Sequence, residues 1–152
     1  MSSVGIEKLK ITNFRSYNAL ELAFDSIPTV IYGKNGVGKT NLLEALSLLY
    51  PGKGIRRSGF HDMINQSNNH PWKVEAICRR KNNLFELETS SDGKGRVVRI
   101  DGKKVPQNNL SSNMKIIWFL PPMDRIWMET SRDRRKFLDR MVFSLHITQA
   151  KK

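Results

Sequence analysis

The sequence predicts an α/β fold built around a phosphate-binding loop, and three observations support this class. Residues 33–40 fit the pattern G-x-x-x-x-G-K-[ST]. The four residues before them, 29–32, are β-branched or aromatic, as in a buried strand. After them, apolar residues recur at helical spacing until Pro51-Gly52 ends the helix. A strand, a glycine loop and a helix in this order form the context that the pattern requires.

Each part of the loop has a physical role if the ligand is ATP with Mg²⁺. Glycines permit backbone angles that a Cβ would forbid, so that amide N–H groups point inward at phosphate oxygens. The Lys39 ammonium would reach the β- and γ-phosphates, and the Thr40 hydroxyl would ligate Mg²⁺. The expected cofactor-binding residues are Gly33, Lys34, Asn35, Gly36, Val37, Gly38, Lys39 and Thr40. The alternative is a glycine-rich turn that binds nothing.

Alternating apolar and polar residues predict a largely antiparallel sheet elsewhere in the chain. Two strands precede the phosphate loop, which distinguishes the chain from the simplest P-loop kinases. Two hairpins follow the loop, and Asp101-Gly102 is a strong turn signal in the second. The predicted strands are residues 6–14, 20–24, 72–79, 84–89, 97–100 and 103–105.

A further strand and an amphipathic helix are predicted near the end of the sequence. Residues 115–120 form an apolar run that Pro121-Pro122 closes, as expected of a buried strand. A helix is predicted from about residue 131 to residue 145, with an N-cap at Thr130 or Ser131. Its apolar stripe consists of Phe137, Leu138, Met141, Val142 and Leu145. The connections at residues 52–69 and 106–113 are predicted to be loops.

The composition is strongly basic, with 26 Lys and Arg against 14 Asp and Glu and a formal net charge of +12. Such an excess favours a polyanionic partner, and nucleic acid is the usual one. The alternative is a basic surface that serves only solubility. The candidate clusters for DNA phosphates are Arg56-Arg57, Arg79-Arg80-Lys81, residues 94–99 with Lys103-Lys104, and residues 132–140.

Cysteine and histidine usage argues against disulfide and metal chemistry. Cys78 is the single cysteine and lies in an apolar stretch, so it is predicted to be a buried small hydrophobe. The three histidines are scattered without metal-ligand spacing. The sequence begins without a signal-peptide pattern, and no apolar run is long enough to cross a bilayer. We expect a soluble cytoplasmic protein without a membrane partner.

Three blocks of residues together resemble one known family. Residues 9–17 read LKITNFRSY, residues 33–50 read GKNGVGKTNLLEALSLLY, and residues 134–140 read RRKFLDR. In order and approximate spacing they resemble RecF, a bacterial DNA replication and repair protein with an SMC-like, ABC-type ATPase head. The first two blocks recur across SMC-type heads, whereas the third is typical of RecF. The resemblance implies that residues 1–152 are one truncated lobe, the N-terminal part of such a head with an antiparallel β subdomain.

The resemblance also implies site residues and partners. Residues 33–40 would hold ATP, Arg15 would lie near the nucleotide phosphates, and Asp124 would stand at the Q-loop in place of a glutamine. The family protein would bind ATP and Mg²⁺ and recognise single-stranded or gapped duplex DNA. At full length it would form an ATP-dependent homodimer. With RecO and RecR it would help load RecA during recombinational repair, replication and the SOS response.

Two parts of the family's catalytic site, the signature motif and the Walker B strand, are not recognisable in this sequence. Asp101 is better explained by a hairpin turn, and two prolines separate Asp124 from the strand before it. We therefore expect no ATP hydrolysis by this chain alone and assign no catalytic residue. Two alternatives stay open. One is a small P-loop phosphotransferase with residues 132–140 as an arginine-rich lid. The other is an inactive fragment that keeps the fold and self-associates through exposed apolar surface.

Overall fold

A computed structural model of the protein describes residues 4–25, 27–119 and 130–145. The α-helices are α1 (Lys39–Ser47), α2 (Leu110–Asn113) and α3 (Ser131–Leu145). Short 3₁₀ helices lie at His61–Met63 and Gln107–Asn109. The strands are β1 (Val4–Phe14), β2 (Tyr17–Ala23), β3 (Trp72–Arg80), β4 (Asn83–Ser91), β5 (Arg96–Ile100) and β6 (Lys103–Val105).

The described strands form one six-stranded sheet in the order β2-β1-β3-β4-β5-β6. Every neighbouring pair is antiparallel. The predicted pair of strands before the loop and the two predicted hairpins are therefore confirmed. A β-bulge between Ile6 and Lys8 shifts the register of β1 against β3. Because β1 runs between β2 and β3, the turn at its end is fixed from both sides, and that turn lies beside the phosphate loop.

One face of the sheet is the core, and α1 packs into it. Ile11 pairs with Val74, Val74 with Thr89, and Thr89 with Val98, so that a buried row crosses β1, β3, β4 and β5. The helix adds the buried residues Leu42 and Ala45, and the turn that follows it adds Leu48 and Leu49. Burying each such leucine is worth about 1.5–3 kcal/mol relative to leaving it exposed. This burial holds the phosphate-loop helix on the sheet.

Cys78 lies on the same inner face of the sheet. Its side chain is fully buried, and this burial raises the pKa of the thiol to about 12. A thiol with such a pKa stays protonated near neutral pH and is a poor nucleophile. The prediction that Cys78 is a buried small hydrophobe is confirmed.

The other face of the sheet carries ion pairs of mixed sign. Lys8 meets Glu21 at 2.7 Å, and Arg99 meets Glu88 at 2.5 Å. Arg79 of β3 pairs with Glu7 of β1. Solvent screens surface pairs of this kind, so they contribute little to stability. The outer face is therefore a surface of alternating charges and not a uniformly basic one.

Two of the predicted strands are wrong. Residues 29–32 and 115–119 carry strand-like side chains, but the structure gives them no strand, and residue 120 lies outside the described residues. Val30 is 83% exposed, Tyr32 89% and Phe119 65%. No described residue pairs with their backbones in a ladder. Strand propensity measures how well a residue fits a pleated, half-buried surface, so without a partner strand it does not make a strand.

The two predicted helices are observed at the expected positions, but their ends and exposed residues differ in part from the prediction. The bounds of α3 are those predicted, although Leu138 and Val142 of its apolar stripe are 48% and 39% exposed. Helix α1 ends at Ser47 and not at Tyr50, because the next three residues switch to hydrogen bonds three residues apart. Segments predicted as loops contain α2 and both 3₁₀ helices. Among the described helices, none has the length and hydropathy required to cross a membrane.

Candidate functional site

The phosphate loop enters α1 through glycines in the left-handed region of backbone space. Gly36 has φ 86° and Gly38 has φ 101°, values that L side chains rarely adopt. Gly38 is the N-cap of α1, and its carbonyl accepts the first helical bond, from Leu42 N, at 3.0 Å. No side chain caps this helix start, so the first backbone N–H groups lack a side-chain partner. The start of α1 is therefore free to donate to an anion.

Lys39 and Thr40 stand at the mouth of the loop. The Lys39 ammonium donates to the carbonyl oxygens of Gly33 at 2.6 Å and Lys34 at 2.7 Å, so its side chain folds back over the loop. Thr40 is exposed, as is residue 37 at the tip of the loop. The two residues that the motif assigns to phosphate and Mg²⁺ thus begin α1, directly after its N-cap Gly38.

The turn between β1 and β2 supports the loop from behind. The Tyr17 hydroxyl donates to the Gly38 carbonyl at 3.0 Å, and burial raises the pKa of this phenol. A Cβ on Gly38 would lie 2.7 Å from the Tyr17 oxygen and 2.9 Å from the Ser16 oxygen. Asn41 of α1 donates to the same Ser16 oxygen at 2.9 Å. Gly38 is thus required both by its backbone angle and by this close approach.

Arg15, predicted to lie near the phosphates, is bound to the side of α1 in this structure. Its Nε and Nη2 donate to the two carboxylate oxygens of Glu44 at 2.9 and 2.8 Å. Its remaining donors reach the Asp62 carbonyl at 2.6 Å and the Ser58 hydroxyl at 2.8 Å. Arg56 donates to Glu44 as well, at 3.0 Å. The contact of Arg15 with phosphate stays a prediction.

Glu44 is the functional residue that the sequence reasoning missed. Its side chain is fully buried, and two guanidinium groups satisfy its carboxylate. This arrangement joins α1 to the β1–β2 turn and to the loop that holds Arg56 and Ser58. The sequence signal was a single acid within LLEALSLL, an otherwise apolar helix face, because a buried acid needs a basic partner.

A polar cleft of about 310 Å³ opens beside the first turn of α1. Its walls are Arg15 and Ser16 of the β1–β2 turn, Asn41 of α1, Asp62, and residues 64–67. Asn65 is buried, donates to Asn18 at 3.0 Å and accepts from the backbone of Ser67 at 2.8 Å. Amide and hydroxyl groups dominate the cleft, so it offers both hydrogen-bond donors and acceptors.

Several arginines of the predicted DNA clusters have internal partners. Arg79 pairs with Glu7, and Arg99 pairs with Glu88. Arg80 donates to the Asn113 and Ser112 carbonyls and lies 5.4 Å from the centre of the Phe85 ring. Within the described part of the chain, some exposed cations have no hydrogen bond or ion pair from their side chains: Lys34, Lys53, Arg57, Lys81, Lys103 and Lys104. The side chains of these exposed cations are available to a polyanion, whereas Arg79, Arg80 and Arg99 are held by internal contacts.

Asp101 and Asp124 are the two acidic residues considered above for the Walker B position. The Asp101 carboxylate accepts from the Glu86 backbone at 2.8 Å in the β5–β6 turn, which confirms its assignment to a hairpin. Asp124 lies outside the described residues. In the described ranges, no group of three or more His, Cys, Asp or Glu side chains is arranged to hold a metal ion.

The chain matches a family model described as an AAA domain over residues 8–142. It therefore belongs to the AAA domain family. Among its relatives in this family, the DNA replication and repair protein RecF of Rickettsia typhi is 36% identical over 152 residues, covering 99% of this chain and 42% of the relative. RecF of Rickettsia bellii is 38% identical over 146 residues, covering 95% of this chain and 40% of the relative. The chain thus spans about two fifths of the length of these curated relatives.

Solved structures also resemble this chain. The recombination mediator protein RecF, in a structure named RecF-ATPrS, superimposes with a TM-score of 0.85 at 25% identity over 96% of this chain and 40% of that protein. The SMC head domain of Thermotoga maritima has a TM-score of 0.60 at 22% identity, over 71% of this chain and 41% of its own, and supports the fold alone. The predicted resemblance to RecF and the predicted ABC/SMC-type head are both confirmed.

Proposed function

We propose that this chain is the nucleotide-binding N-terminal part of a RecF-like protein that binds ATP and DNA in recombinational DNA repair and replication. The observation that carries the proposal is the uncapped start of α1 beneath an exposed glycine loop with Lys39 and Thr40 at its mouth. A structure named as RecF with ATP matches this chain with a TM-score of 0.82 at 25% identity, which supports the choice of nucleotide.

The loop residues fit a nucleoside triphosphate with Mg²⁺. The amides of residues 33–38 and of the first turn of α1 would donate to phosphate oxygens. The Lys39 ammonium would exchange the Gly33 and Lys34 carbonyls, which it now contacts, for phosphate oxygens. Thr40 would hold Mg²⁺, which neutralises phosphate charge when bound. The polar cleft beside Asn41 has the hydrogen-bonding groups for a base and ribose.

Arg15 can contact the nucleotide phosphates only if its side chain moves. Its guanidinium already makes two charge-assisted bonds to Glu44. A contact with phosphate therefore requires the guanidinium to exchange Glu44, in part, for the nucleotide. If Arg15 does not move, its contribution is to hold α1, and through α1 the loop, in place.

DNA is the proposed polyanionic partner, in single-stranded or gapped duplex form. The net charge of +12 supports it, and the exposed cations without internal partners are the proposed contacts. RecO and RecR, action in the SOS response, an ATP-dependent homodimer and a cytoplasmic location follow from the RecF relationship and belong to the proposal. Nucleotide hydrolysis is not assigned to this chain.

The test of nucleotide binding is an equilibrium titration of ATP with Mg²⁺ into the purified chain. We expect saturable binding that Lys39→Ala weakens at least tenfold, or about 1.4 kcal/mol. Lys53→Ala is the matched control, because it removes the same charge from an exposed side chain outside residues 33–40. An equal loss of ATP affinity in both variants would show that the effect of Lys39 comes from general positive charge and not from its place in the loop. Absence of binding by the wild-type chain would overturn the proposal.

The test of DNA binding compares two faces of the molecule. Neutralising Lys53 and Arg57 together should weaken binding to a gapped duplex and lower its salt dependence, because each phosphate contact releases a counterion. Neutralising Lys8 and Arg79, which are paired with Glu21 and Glu7 on the mixed-charge outer face, is the matched control and should change binding little. An equal effect from both pairs would show that the interaction depends on net charge alone.

A further inference from the structure

Arg96, the first residue of β5, contacts the end of α1 that is opposite the phosphate loop. Its Nη1 donates to the carbonyl of Gly52 at 2.7 Å, and both Nη atoms reach the carbonyl of Tyr50 at 3.3 Å. Nη2 also donates to the carbonyl of Leu48. One guanidinium thus donates to three carbonyls just beyond the last turn of the helix.

The remaining contacts of Arg96 are neutral. Its Nε donates to the Thr89 hydroxyl at 2.7 Å, and Nη1 lies 3.5 Å from the Gln107 side-chain oxygen. Among the described residues, no carboxylate forms an ion pair with it. Desolvation lowers the pKa of Arg96 to about 10, which still leaves it charged at neutral pH. A mostly buried cation without an acidic partner costs free energy, so the carbonyl cluster must compensate for it.

The chemistry of the helix end explains this compensation. Leu48 is the C-cap of α1, and Tyr50 and Gly52 follow it, so the three carbonyls that Arg96 binds lie close to the negative end of the helix dipole. The last turn of α1 contains no basic residue of its own. Arg96 of β5 supplies the cation from outside the helix, and its fork of donors spans carbonyls that a single ammonium group could not reach together.

The position of α1 is therefore fixed at three points along its length. Tyr17 bonds the carbonyl of Gly38 at the start, and Arg15 and Arg56 bond Glu44 in the middle. Arg96 fixes the far end. The nine residues of the helix span about 13 Å at 1.5 Å per residue, so a pivot at one end moves the other.

We propose that Arg96 is a positioning residue for the phosphate loop, holding the C-terminal end of α1 against β4 and β5 and thereby setting the affinity of the loop for nucleotide phosphates. This role rests on the proposed binding of ATP. It makes β5 and the loop two ends of one rigid element. Binding of nucleotide at the loop then stabilises the hydrogen bonds of β5, and loss of Arg96 uncouples the two.

The first experiment compares Arg96→Gln with Arg99→Gln. Arg99 is a matched control because it lies on the same strand and loses the same charge, but its guanidinium pairs with Glu88 on the outer face. Circular dichroism first selects a temperature at which every variant is fully folded. ATP with Mg²⁺ is then titrated. We expect about tenfold weaker binding for Arg96→Gln, equal to about 1.4 kcal/mol, less than twofold change for Arg99→Gln, and partial rescue by Arg96→Lys.

A second measurement needs no variant. Amide hydrogen exchange is followed in the wild-type chain with and without ATP and Mg²⁺, and β5 amides should exchange more slowly when nucleotide is bound. Unchanged exchange in β5, or wild-type affinity in folded Arg96→Gln, would overturn the positioning role while leaving nucleotide binding intact. Absence of nucleotide binding by the wild-type chain would instead remove the proposed function and this role together.

Discussion

Strand β3 and the segment before the phosphate loop have similar types of side chain and different structures. Residues 74–78 of β3 and residues 29–32 are both rich in apolar and β-branched side chains. In β3, Val74 is fully buried and lies between its register partners on the two neighbouring strands, Ile11 of β1 and Thr89 of β4. In the second segment, Val30 is 83% exposed and the backbone has no strand partner among the described residues.

The difference lies in what surrounds each segment. Strand β3 gains a ladder on both sides and a helix over its inner face, so its apolar residues leave water. Residues 29–32 gain neither. Burial and cross-strand contacts, more than backbone preference, stabilise a strand. The same residues therefore contribute to stability in one region and remain surface in the other.

The largest effect that would test this comparison is the loss of a core side chain from β3. Trp72 is fully buried, packs edge-to-face on Phe14 at 5.6 Å and donates to the Phe60 carbonyl at 3.0 Å. Trp72→Ala should lower the free energy of unfolding by about 3–5 kcal/mol, through lost burial and a residual cavity. Urea unfolding followed by circular dichroism measures it.

The matched control is an aromatic residue of the exposed segment. Tyr32 is 89% exposed, so Tyr32→Ala should change the free energy of unfolding by less than about 0.5 kcal/mol. If Tyr32→Ala destabilised the chain as much as Trp72→Ala, residues 29–32 would be part of the core in solution, and the contrast between the two regions would fail.

The next largest effect concerns two ion pairs in different surroundings. Glu44 is fully buried between Arg15 and Arg56, whereas Glu21 is 55% exposed beside Lys8. Glu44→Ala leaves the mostly buried Arg15 guanidinium without its partner and should cost about 3 kcal/mol. Glu21→Ala should change the free energy of unfolding far less than Glu44→Ala, because solvent screens the exposed pair.

The same unfolding experiment, repeated in high salt, distinguishes the two ion pairs further. Salt should reduce the already small effect of Glu21→Ala and leave the Glu44→Ala effect nearly unchanged, because buried charges are poorly screened. Equal costs for the two variants would contradict the role of Glu44 as the link between α1 and the β1–β2 turn.

A smaller effect separates the two left-handed glycines of the loop. A Cβ on Gly36 meets nothing within 4 Å, whereas one on Gly38 would lie 2.7 Å from the Tyr17 oxygen. Gly36→Ala should therefore cost only the backbone strain, about 1 kcal/mol, and Gly38→Ala about 1 kcal/mol more. Adding Tyr17→Phe to Gly38→Ala should recover part of that difference. If stability were not recovered, the Tyr17 hydroxyl would not be the group that a Cβ on Gly38 clashes with.

Sequence reasoning located the elements whose patterns are local. The two hairpins and the bounds of α3 depend on neighbouring residues and were predicted correctly. The strand at residues 29–32 depends on a partner that no local pattern reports. The contacts of Glu44 and Arg96 were missed for the same reason. Arg15 and Arg56 lie 29 and 12 residues from Glu44 in the sequence. The carbonyls that Arg96 binds lie more than 40 residues before it.

The smallest effect on stability, with a visible effect on association, comes from the exposed segment itself. Ile27, Val30 and Tyr32 are 69%, 83% and 89% exposed, so the segment presents a run of apolar surface. Exposed apolar surface of this kind favours association between proteins. We expect the purified chain to self-associate with rising concentration in sedimentation velocity experiments.

The double variant Val30→Ser, Tyr32→Ser should associate less while its unfolding midpoint in urea stays within error of the wild type. Leu84 is 54% exposed at the far end of the β3–β4 hairpin, and Leu84→Ser serves as the matched control. If both variants reduced association equally, the effect would reflect general surface hydropathy; if neither did, residues 29–32 would be an exposed segment without a tendency to pair.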